Sequence, residues 1–413
     1  MELKGFSTKV IHTGYARKDA HNALHLPIYS NAAFDFETAE EMADAFQGRR
    51  PDHTYSRVSN PTVENFEKRV RSITGALGVT ALGSGMAAIS NTFFTLTQAG
   101  DNIVTSKHLF GNSLSFLTST LKAFGVETKL VDLTNFEEVK AAIDENTVAL
   151  FFETITNPQL EIVDIAVLSK IAHEHGVAVI ADSTLTPPNT FNAPAFGVDI
   201  EVISSTKIIS GGATSTGGLI IDYGRFDWSR NAKLNDFARR FGPFAFNAKL
   251  RKEIQRNLGA CLSPFHAYLQ SLGLETLDLR FNKAANNSLL LAEYLQTESK
   301  IKQVNYPGLK NSPFYDLGRK QFGENPGAII TFDFRSRAES FRFLNNLQII
   351  NRATNIYDNR SLAIHPASTI FGDFTPETRE SINVSDTLIR LSVGIEDIDD
   401  LINDIHQAIE RIE

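Results

Sequence analysis

At 413 residues the chain is too long for one simple core, and two domains are expected. Hydrophobic residues make up 42% and charged residues 21%, the balance of an ordinary soluble globular protein, and a net charge of −8 weighs against nucleic acid or an anionic membrane as partner. Cys261 is the sole cysteine, which excludes an intrachain disulfide and a cysteine-based metal cluster and fits a reducing compartment. The opening MELKGFSTKVIHTG has no apolar signal core, and no run approaches the ~18 apolar residues of a membrane span, so a cytoplasmic location is expected.

Residues 1–60, with Pro27, Gly48 and Pro51, read as an irregular, extended arm. From 61 to 260 short apolar runs alternate with amphipathic stretches. The runs VTALGS, NIVTS, VETKLVD, TVALFFE, VAVIAD, IEVISS and GGLIID predict strands, and Ser113 to Phe124 and Ile165 to His175 predict helices between them. Such alternation implies βαβ units and a mainly parallel sheet covered on both faces, with ligands binding beyond the carboxyl ends of its strands. A helical pattern from Pro264 to Thr297 bridges to a third segment, 261–413. There AIITFDF and LIRLSVG alternate like strands of a smaller α+β domain, and IDDLINDIHQAIERI closes the chain as an amphipathic helix.

Two strand ends carry the chemistry. Lys207 follows IEVISS within VISSTKIISGG, and Asp182 ends VAVIAD. A lysine in that position, next to a strand-end carboxylate, suits pyridoxal 5'-phosphate (PLP): the amine forms a Schiff base with the cofactor aldehyde, and the carboxylate keeps the pyridine nitrogen protonated. An isolated lysine is ordinarily a solvated surface residue, and an isolated Asp ordinarily caps a helix; it is their company that argues otherwise. Ser204 and Thr206 offer hydroxyls to a phosphate, and Gly211 and Gly212 permit close backbone approach. Thr184 can help fix the ring. Gly83 to Ala88 (GSGMAA) opens a helix after a strand, so free N–H groups and the positive helix end can face an anion. Arg390, inside the apolar LIRLSVG, either closes an internal ion pair or clamps a substrate α-carboxylate, and the chemistry favours the clamp. Tyr55 and Arg57, in HTYSRVSNPT, suit an arm reaching across a subunit boundary. Phe110 is either core or a ring stacked on the cofactor, and His365 reads as structural.

With these residues in hand, the chain resembles the Cys/Met metabolism family of PLP-dependent enzymes. The resemblance is carried by YSRVSNPT, GSGMAAI, TNP at 156–158, ADSTLTPP, SSTKIISGG, LSPFHAYLQSLGLETL, YPGL, SLAIHPAST and LIRLSVGIEDIDDLI. It implies an α/β fold, the fold type I of PLP-dependent transferases (aspartate-aminotransferase-like), with a mainly parallel sheet in the large domain. It also implies Lys207 as the Schiff-base lysine, Asp182 as partner of the pyridine nitrogen, and Ser204, Thr206 and the amides of Gly85 and Met86 as phosphate ligands. Tyr55 and Arg57 resemble the pair that reaches the phosphate from a neighbouring subunit, which makes a dimer the minimal active unit and a homotetramer the expected assembly. Arg390 matches the carboxylate-binding arginine, with Asn157 and Asn355 at positions that assist it.

Within the family, GGATSTGGLIIDYGRFDW and TNIYDNRSLAIHPAST are most similar to the O-acetylhomoserine sulfhydrylases. Two departures bear on the reaction. Phe110 stands where the family usually has a tyrosine, and Asn112 where methionine γ-lyases typically have a cysteine; both weigh against a γ-lyase. The expected reaction is γ-replacement on an activated homoserine ester by sulfide or a small thiol. The alternatives are γ-elimination by a methionine or cystathionine γ-lyase, and a cystathionine γ-synthase. The substrate is expected to be a small amino acid and no metal is expected.

Overall fold

A computed structural model describes residues 3–14 and 21–412; the rest of the expected arm segment 1–60 lies outside the described residues. Its centre is a seven-stranded sheet of β1 (Gly78–Leu82), β2 (Asn102–Ser106), β3 (Glu127–Val131), β4 (Thr147–Glu153), β5 (Ala178–Asp182), β6 (Ile200–Ile203) and β7 (Gly218–Asp222). All seven expected strands are present. Their order is β1-β7-β6-β5-β4-β2-β3, parallel except that β7 runs antiparallel to both β6 and β1. The central strands are buried on both faces, which explains why their sequences are nearly continuous apolar runs. The covering helices start where sequence caps them. Asn60 accepts the N–H of Thr62 at 2.9 Å ahead of Pro61–Thr74, and Asp164 accepts that of Val167 at 3.2 Å ahead of Ile165–Glu174.

A second sheet joins β8 (Gln303–Asn305), β9 (Ile329–Asp333), β10 (Asn351–Arg352), β11 (Leu362–Ile364) and β12 (Leu388–Ser392), in the order β10-β11-β12-β9-β8. The two strands expected there are β9 and β12, antiparallel neighbours with Arg390 opposite Thr331. The amphipathic helix Ile398–Glu410 buries Leu401, Ile405, Ala408 and Ile409 against this sheet's core.

Three expectations need correction. The arm is not wholly irregular: it carries helices Phe6–His12 and Ala39–Phe46, the latter capped by Thr38, which accepts the N–H of Glu41 at 3.1 Å. The segment Ser113 to Phe124 is not one regular helix. It passes from an α-turn (Gly111–Ser115) through wide π-type turns (Phe116–Thr120) to a tight 3-10 turn (Leu121–Phe124) ended by Gly125 at φ 81°. Thr118 Oγ1 donates back to the Leu114 carbonyl at 2.8 Å, a side-chain bond that competes with the regular ladder. The long pattern from Pro264 to Thr297 divides at Thr276 into Pro264–Glu275 and Leu277–Thr297. There the Arg280 guanidinium takes up the Gly273 carbonyl and the Thr276 hydroxyl. Residues up to Ala285 pack in the first core, whereas Leu291, Ala292 and Leu295 pack with Phe332 and Ile389 in the second, so this helix crosses from one core to the other. Among the described residues no helix is long and apolar enough to cross a membrane.

Candidate active site

Asp182 and Lys207 lie at the carboxyl ends of β5 and β6, as the strand pattern required, and both line one cavity of about 270 Å³. Lys207 is held by its backbone: its N–H donates to Ser204 O at 3.1 Å, and Ser210 Oγ donates to its carbonyl at 3.1 Å. Its amine donates to Asn355 Oδ1 at 2.8 Å. Burial, and then the nearby Arg390 charge, push the ammonium down to about 8. A lysine that sheds its proton near neutrality can act as nucleophile and base.

Asp182 Oδ1 accepts both the hydroxyl of Thr184 at 2.6 Å and its N–H at 3.0 Å, and Thr184 Oγ1 accepts the N–H of Ser204 at 2.9 Å. The carboxylate is therefore fixed. It has no ion-pair partner among the described residues, and burial raises its pKa against the Thr184 bonds. A buried carboxylate in this state fits a cationic ring nitrogen placed in the cavity.

The helix Gly85–Leu96 points its N-terminus into the same cavity. Ser84 Oγ accepts the Ala87 N–H at 3.0 Å, while the first-turn groups at Gly85 and Met86 have no intrahelical acceptor. A Cβ on Gly85 would stand 2.6 Å from Ser204 Cβ, so the glycine lets the helix end meet the end of β6. Ser204 and Thr206 both line the cavity, Thr206 Oγ1 also donating to Gly217 O at 3.1 Å. These amides and hydroxyls could cradle a phosphate. Gly211 and Gly212 serve another purpose: they bring backbone against Gly273 and the Asn359 side chain, not against the cavity.

At the other end of the cavity stands Arg390, 2% exposed in the middle of β12. Its guanidinium donates to Asn157 Oδ1 at 3.2 Å, Thr354 O at 2.9 Å and Asn355 O at 3.4 Å, all of them neutral acceptors. No carboxylate pairs with it among the described residues. Arg390 Nε and Asn355 Nδ2 are both buried without a hydrogen-bond partner. Two unpartnered donors, one of them on the buried guanidinium itself, could seat an anion.

Phe110 lines the cavity, its N–H donating to Glu153 Oε1 at 2.6 Å; Asn112, next to it, is exposed and outside. Tyr55 and Arg57 do not reach this cavity. They are exposed on the arm, the Arg57 guanidinium 5.5 Å over the Tyr55 ring and donating to the Arg256 carbonyl. His365 is buried between Ser368 and the Asp386 carbonyl, away from the cavity.

One charged cavity residue escaped the sequence reading. Glu153 ends β4 as Asp182 ends β5, and the two are cross-strand neighbours. Burial, reinforced by the Asp182 charge, pushes its carboxyl well up. The available signal was positional: a charged residue closing an apolar strand next to the strand of Asp182. On β6 itself, burial lifts Glu201 to about 7, although Ser183 and Tyr223 both donate to it.

A family model for the Cys/Met metabolism PLP-dependent enzymes matches residues 7–410. The chain belongs to this family. A solved chain from Campylobacter jejuni that carries N'-pyridoxyl-lysine-5'-monophosphate superposes with a TM-score of 0.95 at 32% identity, covering 98% of this chain and 100% of that one. An O-acetylhomoserine sulfhydrylase of the methionine biosynthetic pathway of Wolinella succinogenes is 47% identical, with a TM-score of 0.78, covering 86% and 99%. L-methionine gamma-lyase of Pseudomonas putida is 37% identical over 411 residues, covering 99% and 98%. The fold is type I, PLP is the cofactor, and the chain is a PLP-dependent enzyme of sulfur amino-acid metabolism. Its relatives include both replacement and elimination enzymes.

Proposed function

We propose that this enzyme catalyses γ-replacement on O-acetyl-L-homoserine, with sulfide or a small thiol, giving L-homocysteine or methionine and acetate. The observation that carries the reading is the composition of the cavity wall. Among the described residues that line it there is no tyrosine, histidine or cysteine, and Phe110 supplies a ring without a phenol. A thiolate leaving group such as that of methionine is helped by a phenol that protonates it, and none lines this wall, whereas acetate leaves as a stable anion. The apolar side chains Ile89, Ile155, Leu185 and Ile356 line the same cavity, which suits an uncharged ester and a small thiol.

PLP bound here accepts the electron pair left at the substrate Cα when its proton is removed. Asp182, fixed by Thr184, holds the ring nitrogen protonated, and Gly85, Met86, Ser204 and Thr206 hold the phosphate. Arg390 binds the α-carboxylate, assisted by Asn157 and Asn355, and thereby presents Cα to Lys207. Lys207 would move the proton from Cα and then one from Cβ as acetate leaves Cγ, and after sulfide adds at Cγ it would return a proton to Cβ and then to Cα. A depressed lysine pKa places the free amine near the operating pH, as a shuttle in both directions requires. Tyr55 and Arg57 act in a neighbouring subunit, whose phosphate they complete, within a homotetramer built from site-sharing dimers.

The test is a product assay on the PLP-loaded enzyme, using O-acetylhomoserine with and without sulfide, and methionine alone. Homocysteine from the ester plus sulfide should exceed 2-oxobutanoate from methionine by at least an order of magnitude. Faster breakdown of methionine or cystathionine would replace this reading with the γ-lyase one.

A further inference from the structure

Tyr357 is a bulky aromatic residue with a positive φ of 53°, in the loop that also carries Thr354, Asn355 and Ile356. Side chains other than glycine seldom hold such a backbone unless their surroundings fix it. The surroundings here are specific. The ring, 1% exposed, leaves the loop between β10 and β11 and enters the core of the large seven-stranded unit, 6.0 Å from the Phe281 ring. Its hydroxyl donates to Leu185 O at 2.7 Å and accepts the Ala328 N–H at 3.3 Å. Room for that hydroxyl exists because residue 327 is glycine: a Cβ there would stand 2.6 Å from the phenol oxygen. The Tyr357 N–H donates to Ser392 Oγ at 2.9 Å, and Ser392 lies two residues beyond Arg390 on β12.

The two ends of this residue therefore join the two ends of the cavity. Leu185 follows Thr184, which fixes Asp182, and itself lines the cavity. Asn355, two residues before Tyr357, accepts the Lys207 amine through Oδ1 and passes its carbonyl to Arg390. Its Nδ2 is buried without a hydrogen-bond partner.

We infer that Tyr357 is the positioning residue that sets the loop of Thr354, Asn355 and Ile356, and with it the carboxylate seat, at a fixed distance from the Asp182 end of the site. The inference rests on the reading of Arg390 and Asn355 as carboxylate donors. Tyr357 touches neither cofactor nor substrate. It acts through Asn355, and its removal should loosen substrate binding while cofactor binding is preserved.

The experiment uses PLP-loaded Tyr357→Phe, which keeps the ring and loses only the tether. The probe is L-norvaline, an amino acid with no γ leaving group, titrated by the absorbance change of the bound cofactor. The dissociation constant should rise about tenfold, and KM for O-acetylhomoserine should rise more than kcat falls, with PLP affinity within twofold of the parent. Tyr357→Gly, which suits the positive φ yet has no tether, should bind norvaline no better than Tyr357→Phe. A lowered melting temperature with unchanged norvaline affinity and unchanged KM would reduce Tyr357 to core packing and overturn the inference. Recovery of parent affinity in Tyr357→Gly would assign the loop position to backbone conformation and also overturn it. If the parent itself fails to bind norvaline, the carboxylate seat falls first and the role of Tyr357 falls with it.

Discussion

Replacing Arg390 by lysine keeps the positive charge and most of the volume, and so isolates the fork of donors. In the parent the guanidinium spreads across Asn157 Oδ1, Thr354 O and Asn355 O, and leaves Nε unpaired in a site that is 2% exposed. A carboxylate bound there gains two charge-assisted bonds in place of water. An ammonium on a shorter, rotatable stem offers one at best, and leaves the Asn157 or Thr354 oxygen without its donor. Losing one charge-assisted bond in a buried site costs about 2–3 kcal/mol, which is roughly 30- to 150-fold in kcat/KM. Steady-state kinetics with O-acetylhomoserine at saturating sulfide should show this loss mainly in KM, with the cofactor absorbance band unchanged because Arg390 lies away from the phosphate cradle. A kcat/KM within twofold of the parent would refute the clamp and return Arg390 to a structural role on β12.

Lys207 and the arm give two more tests. In the apoprotein the Lys207 ammonium, held down to about 8, titrates below its unfolded value near 10.5. Between those values the unfolded chain binds more protons, so stability rises with pH and the cost of the buried charge is full only below about 8. Apo Lys207→Met should thus be more stable than the parent by roughly 2–3 kcal/mol at pH 7 in urea unfolding. That gap should shrink toward pH 10.5; a gap independent of pH would contradict the depressed amine. Arg57→Ala should weaken PLP retention, and mixing it with Lys207→Ala should restore activity through hybrid dimers. No recovery, with subunit exchange verified, would argue against a shared site.

The sheet was legible because its strands are short and its central strands are buried on both faces, so their apolar runs stand out against the helices. Asp182 and Lys207 were legible because a charged residue closing such a run needs a purpose. Arg390 stood out in the same way inside LIRLSVG. What sequence concealed was set by tertiary context. Helix Ala39–Phe46 had a capping signal in Thr38 and Glu41, but its surroundings of prolines and glycines masked it. The break at Thr276 depends on Arg280 turning back to two oxygens, which periodicity does not report. Glu153 and Glu201 lie inside the expected strands TVALFFE and IEVISS, and their raised pKa values come from burial together with the charge of Asp182 on the neighbouring strand, which sequence does not report. Tyr357 was silent because the two partners of its hydroxyl, Leu185 and Ala328, are distant in the chain.

Everything in the mechanism depends on the cofactor being joined to Lys207 in the cavity at the carboxyl ends of β5 and β6. Borohydride reduction of the PLP-loaded enzyme, followed by proteolysis and mass spectrometry, tests this directly. The reduced pyridoxyl group should appear on the peptide containing Lys207 and on no other lysine, and Lys207→Ala should show neither the adduct nor turnover. A pyridoxyl group on a different lysine, or full turnover by Lys207→Ala, would contradict the assignment of the site.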